Sequence, residues 1–105
     1  MDRPKIRRAY VLDGKTPVQE TDLLTWAGWF ADHDRVVVQT ELPDDIFVST
    51  VFTAIDLGRL NSAPMLFETM IFGGSSGGFV QKYSTWEEAE VGHAEILALM
   101  RRGDA

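Results

Sequence analysis

The sequence predicts an α+β domain: an antiparallel sheet of about four to five strands with two helices packed on one face, in the order β-α-β-β-β-β-α. Three observations predict it. Two segments, one in each half of the chain, carry apolar residues at helical spacing. Between them lie stretches rich in β-branched and aromatic residues, punctuated by Pro, Asp, Asn and Gly. The connections are too short for the crossovers that parallel strands require, so the strands must run as a meander.

In chain order, residues 1–8 are polar and basic (Arg3, Lys5, Arg7, Arg8) and are expected to form a disordered arm. Ala9-Tyr10-Val11-Leu12 reads as a short strand, ended by the turn dipeptide Asp13-Gly14, with a hairpin or sharp bend before Pro17-Val18. Thr21 suits the N-cap of a first helix, with Leu23, Trp26, Ala27 and Phe30 as its apolar stripe and Trp29 off that stripe. Asp32, His33 and Asp34 form a polar helix exit. Consecutive helical residues point about 100° apart, so these three do not converge on one ion. Val36-Val37-Val38 opens a strand, Pro43-Asp44-Asp45 makes a turn, and residues 46–56 read as a long strand.

Residues 64–78 are the centre of the pattern. Pro64 precedes an apolar strand interrupted by one carboxylate, Glu68, and Gly73-Gly74-Ser75-Ser76-Gly77-Gly78 then forces a turn. A sheet with one wet face should alternate apolar and polar. Here Met65, Phe67 and Ile71 fall on one side, and Leu66, Met70 and Phe72 on the other. Two helices cover one face, so a second copy of the chain is expected to cover the other, as a homodimer. The last helix is the clearest element. Thr85 and Glu88 fit a capping box, Trp86, Ala89, His93, Ile96 and Met100 form a stripe beside Gly92, and Gly103 stops the helix after Arg101 and Arg102.

Composition bounds the function. The chain has 105 residues, enough for a single domain with one core. A net charge of −6 argues against a sequence-independent grip on nucleic-acid phosphates. Without cysteine there are no disulfides, thiolate metal sites or thiol nucleophiles. No apolar run approaches the ~18 residues of a membrane span, and a soluble intracellular protein is expected. No cofactor or metal is called for.

Three polar residues sit where apolar ones are expected: Glu68, His93 and Asp56. If the Glu68 face looks at the last helix, Glu68 and His93 would meet as an acid/base pair. The plainer reading, which is preferred, gives each a structural partner. A metal site from Asp56, Glu68 and His93 lacks any defining spacing. The glycine loop, with Gly74 and Ser75, offers backbone N–H groups to a phosphate, but no Gly-Lys-Ser/Thr follows and a flexible connection fits it better.

Three segments resemble a small protein family of bacteriophage, prophage and bacterial genomes. They are Ser49-Thr50-Val51-Phe52 leading to Asp56, Pro64-Met65-Leu66-Phe67-Glu68-Thr69-Met70-Ile71-Phe72-Gly73, and Tyr83-Ser84-Thr85-Trp86-Glu87-Glu88-Ala89-Glu90 with Gly92-His93. Asp13-Gly14 and Leu23-Leu24 with Trp26 extend the likeness over most of the chain. The family has no assigned activity, so the resemblance implies no catalytic residue. Family members often carry a His directly after the aspartate, where this chain has Leu57. What the resemblance implies is an accessory product acting in the bacterial cytoplasm.

Two functions are weighed. The first is a non-enzymatic protein that binds a host protein, such as a component of a defence system, with Trp29 as a candidate exposed aromatic. The second is a site for a nucleotide-like ligand, or a weak hydrolase, built from the glycine loop, Glu68 and His93.

Overall fold

The computed structural model describes residues 3–56, 58–59 and 61–102. Leu57 and Gly103, singled out above, lie outside the described residues. Strands β1 (Tyr10–Asp13) and β2 (Thr16–Gln19) form a hairpin, followed by helix α1 (Leu23–Asp32). Strands β3 (Val36–Leu42), β4 (Ile46–Phe52), β5 (Phe67–Phe72) and β6 (Val80–Tyr83) form a four-stranded antiparallel meander in sequence order. Helix α2 (Trp86–Arg102) closes the chain. The fold is α+β, as the pattern predicts, with β1 paired to β2 and joined to the main chain path by an Ala9–Ile55 bridge.

Register decides which side chains meet α2. Val48 opposes Ile71, Thr50 opposes Thr69 and Phe52 opposes Phe67. These six are buried, and they pack beneath Ala89, His93 and Ile96 of α2. The capping box forms as expected: the Glu88 N–H donates to Thr85 Oγ1 and the Thr85 N–H to Glu88 Oε1, both at 3.1 Å. Helix α1 has no wholly buried residue and sits at one end of the same sheet face. There the Trp29 ring meets Phe52 edge-on at 5.7 Å, and the Trp26 indole N–H donates to the carbonyls of Tyr10 and Ala54.

The structure corrects four expectations. The basic arm is docked from Arg3 onward: the Ile6 N–H donates to the Thr21 carbonyl, the Leu23 N–H to the Pro4 carbonyl, and Arg3 pairs with Asp22. Asp22, not Thr21, caps α1, because its carboxylate reaches the Thr25 N–H. The apolar face of α1 includes Trp29 and leaves Ala27 exposed, since turning the larger ring inward removes more apolar area from water. Finally, β4 ends at Phe52 rather than at 56. Ala54 adopts φ 65, and this left-handed residue turns the chain toward Arg8 and Ala9.

Candidate functional site

His93 arises from the stripe of α2 and is almost wholly buried. Its Nδ1 lies 2.7 Å from Thr50 Oγ1 and its Nε2 3.0 Å from Thr40 Oγ1, while Thr50 also bonds to Thr69. A neutral imidazole has one donor and one acceptor, so it closes this chain of three threonines with both ring nitrogens used. Burial pushes its pKa below the ordinary value for histidine. The chain fixes the seat of α2 on the sheet, and neither ring nitrogen is open to a substrate or a metal.

Glu68 does not join His93. Thr69 faces α2, so its neighbour Glu68 points to the opposite side of the sheet, where it stands across from Val51 and Lys82. The acid/base pair allowed by sequence is ruled out by this one-residue parity. Asp56 is elsewhere again. Its Oδ1 accepts from the N–H groups of Gly58 (2.8 Å) and Met65 (2.9 Å), and its Oδ2 is 3.4 Å from Arg8. Partial desolvation pushes the Asp56 pKa up, but the two backbone donors and Arg8 together hold it below the usual carboxylate value. Arg8 also donates to the Gly58 carbonyl, so Asp56 and Arg8 tie the loop before β5 to the N-terminal segment. Asp56, Glu68 and His93 therefore form no common site, and no three acidic or imidazole groups converge among the described residues.

The glycine loop is a built turn. Gly73 and Gly74 have φ of +85 and +70 and abut the β3–β4 turn. A Cβ on Gly73 would lie 2.5 Å from the Asp45 carbonyl oxygen, and one on Gly74 would lie 2.9 Å from the Ile46 side chain. The N–H groups of Gly77, Gly78 and Phe79 donate to Gly74, Ile71 and Ser76 carbonyls, which takes them away from any phosphate. Ser75 is exposed at the tip. Trp29 is half-buried, edge-on to Phe52 and stacked on His33 at 4.8 Å, so it is not a free anchor.

Two surfaces stand out instead. The first is the sheet face turned away from α2. Phe47 and Phe72 lie across from each other with ring centroids 6.2 Å apart, and Val51, Met70 and Val80 continue the apolar surface toward the Glu68–Lys82 pair. Phe72 is 47% exposed. The second is a trough between the outer edge of β6 and α2, floored by Ile71, Phe79 and Ile96 and rimmed by Leu99, Glu95 and Glu87. The first was legible in the two-sided apolar pattern of residues 65–72. The second was not, because its floor and rim come from separate elements. The inward threonines did leave a trace: Thr50 and Thr69 interrupt otherwise apolar strand faces, as His93 interrupts the α2 stripe.

No protein-family model, curated protein or solved structure matches this chain in comparisons with known proteins. No helix among the described residues is long and apolar enough to cross a membrane.

Proposed function

We propose that this chain is a non-enzymatic binding protein, assembled as a homodimer through the open sheet face and engaging a host protein, in keeping with the phage-type accessory family it resembles. The observation that carries the reading is that open face, where Phe47, Val51, Met70 and Phe72 lie with no helix or strand over them among the described residues. Contiguous apolar surface of this kind, most exposed at Phe72 and Val80, marks an interaction site. A second copy is the occupant the chemistry favours. Glu68 and Lys82 stand side by side on the face, so it carries both signs of charge and can complement itself about a two-fold axis. The residues weighed for acid/base work support binding over catalysis, because each is engaged separately in holding the fold or stands apart from the others.

Sedimentation equilibrium at tens of micromolar protein tests the assembly. A dimer is expected for the wild type and a monomer for Phe72→Glu; a monomeric wild type would overturn it. Affinity capture from bacterial lysate with the wild type is expected to yield a stoichiometric protein partner. Glu68→Gln is expected to leave that capture intact, whereas a ligand site or hydrolase built on Glu68 would lose its activity.

A further inference from the structure

The trough along β6 has the features of a second docking site. The carbonyls of Phe79, just before β6, and of Tyr83, at its end, accept from the N–H groups of Ile71 in β5 and of Leu66 just before it. By the alternation of an antiparallel ladder, the N–H and C=O of Val80 and Lys82 then point away from β5. No strand pairs with that outer edge among the described residues. An extended segment laid along it would add a fifth strand, and its alternate side chains would enter the trough beside α2.

The lining says which side chains fit. At the Phe79 end, Ile71, Ile96 and Leu99 surround an apolar recess of about 210 Å³, with Phe79 itself 43% exposed. Toward Tyr83 the rim becomes acidic, with Glu95 and then Glu87 and Glu88. Between the two ends Tyr83 is 9% exposed, and its buried hydroxyl makes no well-formed hydrogen bond. Burial pushes the Tyr83 phenol pKa up, against a smaller opposing effect of the Thr69 hydroxyl, which is itself bonded to Thr50.

We infer that this trough binds an extended basic segment of a protein partner, paired to the β6 edge, with an apolar side chain in the Ile71–Phe79–Leu99 recess and Lys or Arg against Glu95 and Glu87. Charge selects this occupant over a second copy of the chain. A second copy paired along β6 would carry its own Glu87, Glu88 and Glu95 toward this acidic rim, and like charges facing each other oppose association. The inference names the chemistry of the partner in the binding reading above and rests on that reading, but not on the dimer, which uses the other face of the sheet.

The test uses the intact protein and a short capped peptide, Thr-Val-Thr-Lys-Thr-Lys, whose alternate residues put one Val and two Lys on the same face, titrated by fluorescence anisotropy. Its control is the same peptide with Glu for Lys. Binding of the Lys peptide alone is expected, weakening about tenfold or more in Glu95→Lys and with added salt. Val80→Pro removes an outward N–H without touching the β5 ladder, as edge strands tolerate, and is expected to abolish binding while circular dichroism stays native. Equal binding of both peptides, or binding untouched by Val80→Pro, would overturn the inference. So would self-association that is lost in Val80→Pro and kept in Phe72→Glu, because the edge would then be the dimer interface. If no peptide binds while the wild type still captures a host protein, the trough inference fails and the binding reading stands.

Discussion

At Gly92 the backbone of α2 touches the tip of the Tyr83 ring, and a Cβ there would fall inside that ring's van der Waals envelope. The helix tolerates a poor helix former because the close approach seats Tyr83 against it. Gly92→Ala is therefore expected to destabilise the protein by about 1–3 kcal/mol through overpacking, read as a lower urea midpoint with an unchanged slope. Tyr83→Phe removes a buried hydroxyl that lacks a good partner, and is expected to be neutral or stabilising by up to about 1 kcal/mol. His93 gives a pH signature. Its folded pKa is depressed by burial, so the unfolded chain binds the extra proton first. Stability should be level above the unfolded value near 6.5 and fall as pH drops below it. Urea midpoints measured across that range check the sign, and His93→Gln should flatten this part of the profile. Spacing alone put His93 on the inward stripe of α2, with Gly92 beside it. It could not supply the partners of His93, because Thr40 and Thr50 lie 53 and 43 residues away along the chain.

Among the elements, α2 was readable because its signals are local: a reciprocal cap, a stripe and two arginines in the last turn. Thr85→Ala should remove one arm of the cap and lower stability by about 1 kcal/mol, seen in thermal unfolding followed at the helix band. Helix α1 was only partly readable, since its orientation depends on where Trp26 and Trp29 find Phe52, Tyr10 and Ala54. Its cap adds a second pH effect. The Asp22 carboxyl is held at about 2, first by the hydrogen bond from Arg3 and then by Thr25. This is a depressed acid, so the contribution is complete above the ordinary value of 3.8 and is lost as pH falls toward 2. The Thr25 amide resonance should move over that window in the wild type and not in Asp22→Asn. The end of β4 was beyond sequence reasoning: Ala54 has no local reason to be left-handed, and two tertiary bonds hold it there, from the Tyr10 N–H to the Ala54 carbonyl and from the Asp56 N–H to the Arg8 carbonyl.

On the scale of the molecule, the layout is lopsided, with extents of 56 × 29 × 23 Å. The hairpin and α1 extend one end, α2 covers one side of the meander, and among the described residues no layer lies over the other side of β4 and β5. This imbalance was legible in residues 65–72, apolar on both sides, whereas the face that α2 would choose was not, because parity alone treats the two sides alike. Thr50, Thr69 and His93 break that symmetry by pairing a helix imidazole with hydroxyls on one side only. The open side is where the proposed dimer forms, and a dimer couples folding to concentration. Dilution should therefore lower the urea midpoint of the wild type, by an amount that grows with the span of protein concentrations used. In Phe72→Glu the midpoint should be lower at high protein and independent of dilution, since that protomer unfolds alone. A wild-type midpoint that ignores dilution across the micromolar range would separate folding from assembly and remove the open face from the binding proposal.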